Sequence, residues 1–199
     1  MSPRTEEQFQ DLRDNRRNQI LDAALKVFAK RGLTATKITD ISAEANLSHG
    51  LIHHYFKSKE EVFVEVTRRA IERSSGMYAK IENMQARPLE IMKLITERNI
   101  MTADAEENAL SWLFMINVII SDVVPDEAKM LAASAYAPIG LTVELIRKGQ
   151  SLGEITDGDP ERLAVMYWAM IQGLTLFRYN KDLDLPMPET ETVLRILKP

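Results

Sequence analysis

Residues 46–60 read Asn46-Leu47-Ser48-His49-Gly50-Leu51-Ile52-His53-His54-Tyr55-Phe56-Lys57-Ser58-Lys59-Glu60, and the punctuation of this stretch decides the fold. Asn is one of the few residues besides Gly that accept a left-handed backbone, so Asn46 marks a tight turn. Leu47 is an apolar plug for that turn, and the Ser48 hydroxyl can cap a helix that starts at once. The helix is short, about Ser48 to Tyr55, because Ser58-Lys59-Glu60-Glu61 is a capping box that opens the next one. Ile52 and Phe56, four residues apart, form its inward face and leave His49, Gly50, His53, His54 and Tyr55 outside.

Outward from this stretch the apolar residues keep helical spacing. Upstream, Ile20, Ala24, Val27, Phe28 and Arg31 follow the stripe of a helix packed on one face, with Gly32 as its C-cap. A short helix comes next, with Thr36 expected as its cap, Asp40 in its first turn, and Ile38, Ile41 and Ala45 facing inward. Downstream, a long helix should run to about Ile81. Further breaks fall at Pro88, Ala103-Asp104, Val124-Pro125, Gly149 to Pro160 and Leu185 to Pro188, which leaves about nine helical segments. Strand alternation, internal repeats and low-complexity tracts are absent from the sequence, so the chain is expected to be all-α.

Two short helices joined by a turn of three or four residues have helix-turn-helix geometry, in which the second helix enters the major groove of DNA. The outward face of that second helix offers imidazoles and a phenol, which supply donors and ring surfaces to phosphates and base edges. Gly50 is costly inside a helix but suits a helix start that must approach another backbone closely. His49 and His53 also have metal-ligand spacing, yet no third ligand lies within the motif, so no metal site is assigned.

The run from Ile20-Leu21-Asp22-Ala23-Ala24 through Phe28-Ala29-Lys30-Arg31-Gly32, Thr36 to Ser42 and Asn46 to Glu60 resembles the DNA-binding domain of TetR-family transcriptional regulators. The resemblance implies an N-terminal three-helix head (residues 1–60) and a larger helical body (residues 61–199) for ligand binding and dimerisation. Carried over position by position, DNA contacts fall on Lys37 and Thr39; on Ser48, His49, Gly50, Leu51, His53, His54 and Tyr55; and on Lys57 and Lys59. The physical chemistry agrees for Lys57 and Lys59, since positive charge beside a helix N-terminus makes a phosphate site. This sequence departs from the family where His53 stands for the usual Tyr, Tyr55 for the frequent His and Asn46 for the common Gly.

Composition bears on the same question. The 199 residues carry a formal charge of −4, which by itself argues against a polyanion partner. The charge is divided unevenly, however. Residues 1–60 hold ten basic and eight acidic side chains, a balance of +2, and the remainder stands at −6. Arg13, Arg16 and Arg17 are expected before the first helix or in its first turn, where the helix dipole disfavours them; for Arg16 and Arg17 a phosphate is the suggested reason. The pair Arg68-Arg69, far along the fourth helix, is read as solvated.

Beyond Pro88 the helices are apolar nearly all round, as in a core or an interface. Asp159-Pro160-Glu161 marks a helix start, Pro138 is expected to kink the segment from Pro125 to Gly149, and Gly173 suggests a close helix neighbour. The resemblance implies a homodimer through the last two helices, about Pro160 to Asn180 and Glu189 to Leu197, facing an inverted-repeat double-stranded operator. A small-molecule effector would sit between helices, with Trp112, Met115, Asn117, Tyr136, Tyr167, Trp168 and Met170 as candidate contacts, although ordinary core or interface packing is the favoured account of each. The most favoured function is a repressor released by that effector; an activator or a DNA-bound assembly factor is the alternative. No catalytic residue and no cofactor is assigned, because the sequence holds no phosphate-binding Gly loop, nucleophile elbow or metal-spaced cluster. The absence of Cys fits a reducing compartment, and no apolar stretch reaches the roughly 20 residues of a membrane span, so a cytoplasmic location is expected.

Overall fold

Gly32 interrupts the first helix because only a residue without Cβ accepts its backbone, at φ 68° and ψ 178°. The structure, a computed structural model, describes residues 6–101, 105–179 and 185–199, except for the side chains of residues 6, 7, 9, 77, 82, 105 and 136. The expected break at Ala103-Asp104, the side chain of Tyr136 and the helix end at Asn180 lie outside the described residues. Among the described residues every regular element is helical: α1 (Glu6–Ala35), α2 (Ile38–Ala45), α3 (His49–Tyr55), α4 (Lys59–Glu82), α5 (Pro88–Ile100), α6 (Ala105–Ile120), α7 (Asp126–Ala132), α8 (Ala137–Ser151), α9 (Pro160–Tyr179) and α10 (Thr190–Val193), with 3-10 turns at Ala133–Tyr136 and Leu194–Leu197. None of these helices is long and apolar enough to cross a membrane.

The chain divides into two compact units, Met1–Ala70 with Phe114–Ala132, and Ile71–Leu113 with Ala133–Pro199. In the first unit the inward positions of α1 and α2 are buried as their spacing implies: Ile20, Ala24, Val27 and Phe28, then Ile41 and Ala45. Arg31 leaves that stripe and pairs with Asp40 at 3.0 Å. Phe114 belongs to this unit because it closes a buried aromatic trio, 4.9 Å from the Phe63 ring and 6.3 Å from the Phe28 ring, which are themselves 5.0 Å apart. Compactness therefore reaches Ala70 and takes in part of α6 and all of α7.

In the second unit α5, α8 and α9 enclose Ile91, Met92, Ile95, Val143, Leu145, Ile146, Ala164, Tyr167, Trp168 and Ile171. Three local expectations are corrected here. Pro138 does not kink a long helix: it lies buried in the first turn of α8, where its missing N–H is no loss, and the 3-10 turn separates α7 from α8. Gly149 is inside α8; a Cβ there would come within 2.5 Å of Ile155, so the reason for glycine is packing. The expected long last helix is instead one short helix and a 3-10 turn, whose Val193, Leu194 and Leu197 are buried in the core of their own chain.

Candidate nucleic-acid interface

The turn between α2 and α3 is built as the Asn predicts. Asn46 adopts φ 53° and ψ 43°, its N–H donates to Ala43 O at 3.2 Å, and the Leu47 N–H donates to Ser42 O at 3.0 Å. This is a Schellman arrangement, which satisfies the last carbonyls of α2 and turns the chain sharply. Ser48 then caps α3, its Oγ accepting the Leu51 N–H at 3.3 Å. Ile52 and Phe56 are fully buried, so α3 is held by one side and the opposite side stays open. On the open side His49, Gly50, His53 and His54 are exposed, and Leu51 and Tyr55 are half-buried. The His49 and His53 rings meet edge to face at 4.6 Å, and those of His54 and Tyr55 at 5.5 Å, which gives two small aromatic surfaces along seven residues.

The start of α2 differs by one residue from the expectation. Thr36 turns its hydroxyl back to Gly32 O at 2.6 Å, and the reciprocal cap is made by Asp40, whose Oδ2 accepts the Lys37 N–H at 2.8 Å. That hydrogen bond, with help from the Arg31 guanidinium, holds the Asp40 carboxyl below its usual range. Lys37 and Thr39 remain exposed. At α4, Ser58 Oγ accepts the Glu61 N–H at 3.1 Å, while Glu61 reaches one residue beyond the cap to the Lys57 N–H at 2.6 Å. The Lys59 ammonium turns inward, to the carbonyls of Leu33, Thr34 and Thr36.

The arginines answer to different forces from those expected. Because α1 begins at Glu6, Arg13, Arg16 and Arg17 lie well inside it, and the helix dipole no longer needs a phosphate to offset it. Arg17 pairs with Glu65 and lies 5.3 Å over the Phe56 ring, so it pins the end of α3 to α1 and α4. Arg16 is exposed and donates to Gln19 Oε1 at 2.7 Å; Gln19 in turn donates to Ala45 O at 2.7 Å, the last residue of α2. Arg68 and Arg69 are tied rather than merely solvated: Arg68 joins Glu65 and Glu127, and Arg69 joins Asp22 at 2.6 Å.

The seven candidate ligand contacts are divided between the two compact units. Met115 and Asn117 belong to the first, where Met115 is buried and Asn117 Nδ2 donates to Ala29 O at 3.1 Å. Trp112, Tyr136, Tyr167, Trp168 and Met170 belong to the second. There Tyr167 is fully buried with its hydroxyl 2.9 Å from Thr96 Oγ1, and Trp168 Nε1 donates to Thr142 Oγ1 at 2.9 Å. Tyr78 packs its ring 6.4 Å from that of Trp168. Burial pushes the Tyr78 and Tyr167 phenols up, since the charged form would lose its hydration. The sequence reading missed Tyr78, Thr96 and Thr142; the thiol-free, half-polar pattern of their helices contains no signal that sets them apart from surface residues. It also missed a surface groove of about 410 Å³ whose walls carry Arg87, Glu90, Lys93, Glu154, Glu191 and Lys198, residues that in sequence look like an ordinary solvated face.

Comparison with known proteins bears on the first unit most directly. Residues 20–66 match the family described as bacterial regulatory proteins, tetR family. The chain is 40% identical over 76 residues to the HTH-type transcriptional repressor KstR2 of Mycolicibacterium smegmatis, a match that covers 38% of this chain and 37% of that one. It is 25% identical over 173 residues to the HTH-type transcriptional regulator BetI of Brucella melitensis, covering 86% of this chain and 83% of the relative. In fold it resembles the ketosteroid transcriptional regulator KstR2 of Mycobacterium tuberculosis, with a TM-score of 0.72 at 20% identity over 92% of this chain and 95% of that one.

Proposed function

We propose, from the match of residues 20–66 to the tetR family of bacterial regulatory proteins, that the protein is a transcriptional repressor that binds an inverted-repeat operator as a homodimer and is released by a small molecule. The observation that carries the reading is α3: two buried apolar anchors fix it, and the exposed side is formed by His49, Gly50, His53 and His54 in place of the Glu/Lys mixture of a solvated helix. Residues 1–60 bind DNA. His49, His53, His54 and Tyr55 face base edges and sugar-phosphate; Lys37, Thr39 and Lys57 contact phosphates; and Ser48, Gly50 and Leu51 allow close approach. Arg16 serves from the exposed flank of α1.

Residues 61–199 bind the effector and the second subunit. The dimer face is α9 rather than the C-terminal segment. Val165, Met166 and Phe177 are exposed there, and Gly173, on the same side, has nothing within 4 Å of where its Cβ would lie. An exposed apolar stripe with a glycine at its centre suits two-fold packing of α9 on its mate, with α8 alongside. An effector could act only by binding one head spacing better than the other. Selection of genomic fragments by the purified protein, followed by sequencing, tests the reading. The expected result is an inverted repeat with half-sites about one helical turn apart; binding no better than to random DNA at 150 mM salt would refute it.

A further inference from the structure

We propose that Lys59 is a positioning residue for DNA recognition and not a phosphate ligand: its ammonium group gathers the corner between α1 and α2 and so sets where α2 begins. The inference rests on the DNA-binding reading above. A lysine ammonium has three N–H donors and no acceptor. Here the three have three main-chain partners, Leu33 O at 2.9 Å, Thr36 O at 3.1 Å and Thr34 O at 3.5 Å. A phosphate could be bonded only by releasing one of these carbonyls.

The corner needs such a group. Once Gly32 turns the chain out of the α1 helix, the carbonyls that follow lose their regular helical partners, and among these three only Leu33 O keeps a backbone bond, a long one of 3.3 Å from Thr36 N. The three carbonyl oxygens converge on the half-buried Lys59 ammonium, and a cation is the strongest donor available to them. The same cluster explains why a lysine opens α4, a place where the helix dipole disfavours positive charge. Thr36 is followed by Lys37 at the N-cap of α2 and Thr39 in its first turn, so the clamp holds the two residues read above as DNA contacts at the start of α2.

The test uses the full-length protein, Lys59→Met and Lys59→Arg, with Lys57→Met for comparison. Amide hydrogen exchange is measured without DNA, and affinity for the strongest duplex from the genomic selection is measured across a salt series. In Lys59→Met the amides of residues 36–40 should exchange at least tenfold faster, and the duplex should bind on the order of tenfold more weakly with an unchanged salt slope. Lys59→Arg keeps the charge but spreads its donors in a planar fork, so it should show both losses as well, and it carries the comparison if the Met variant fails to fold. Lys57→Met should lower the salt slope by about one per head. Unchanged exchange in both Lys59 variants would overturn the proposal, as would a Lys59→Met slope lowered by about one per head beside an Arg variant that binds like the parent. If the parent protein binds no duplex, the DNA-binding reading fails, while the exchange result still decides the clamp.

Discussion

Replacing Gly32 by Ala isolates the backbone's share in shaping the DNA-binding head. Its φ of 68° with ψ 178° lies in a region that only Gly occupies freely, and an L-residue held there costs about 1–3 kcal/mol. Packing adds little: the nearest atom to a Cβ at this position is Asn117 Oδ1 at 3.8 Å, an ordinary contact. The whole cost is therefore conformational. For a chain of 199 residues it corresponds to a fall in Tm of roughly 3–9 °C, read by circular dichroism at 222 nm. A D-Ala at the same position, introduced by semisynthesis, prefers positive φ and should recover most of the loss, which no cavity or clash account predicts. An L-Ala variant that melts within about 1 °C of the parent would refute the argument, because it would mean that the corner between α1 and α2 relaxes to ordinary φ without loss.

Other expectations follow from the packing and the charges. Phe63→Ala removes the ring that touches both Phe28 and Phe114 and should cost about 3–5 kcal/mol in urea unfolding, with much less loss for Phe63→Leu. Glu154 is held below its ordinary value of 4.5 by the Arg87 guanidinium and the Leu89 N–H, so its share of stability is present above that pH and is lost as pH falls through the depressed value. Glu154→Gln should accordingly lower Tm at pH 7 and approach the parent's Tm below about pH 4.5; a gap that stays constant from pH 7 to pH 3 would contradict this. Val165→Glu with Met166→Glu should convert a dimer to monomers by sedimentation velocity while leaving the helix content unchanged, since both side chains are more than half exposed in the single chain.

Much of the head was legible because its signals are local. The Asn46 turn, the Ser48 cap and the Ser58–Glu61 box each involve residues within five positions of one another; the first two form as their chemistry predicts, and the box does so except that Glu61 closes on the Lys57 N–H. The burial of Ile52 and Phe56 follows from a spacing of four. The reading fell short where partners come from far along the chain. Arg17 pairs with Glu65, 48 residues away, and the Lys59 ammonium meets three carbonyls 23 to 26 residues upstream, partners that no local pattern announces. The bond from the Asn117 amide to Ala29 O likewise spans 88 residues.

The sequence by itself determined the helical class, the order of the short helices in the head and the identity of the exposed α3 face, because helix periodicity, caps and turns depend on nearest neighbours along the chain. Tertiary structure alone decided which cations are engaged within the protein itself. A surface charge is defined by its surroundings, and the carboxylates and carbonyls that engage Arg17, Lys59, Arg68 and Arg69 come together only when α1, α2, α4 and α7 fold into one compact unit. The balance of +2 in residues 1–60 therefore overstates the charge available for phosphates, and binding must rest on the few groups that the fold leaves exposed.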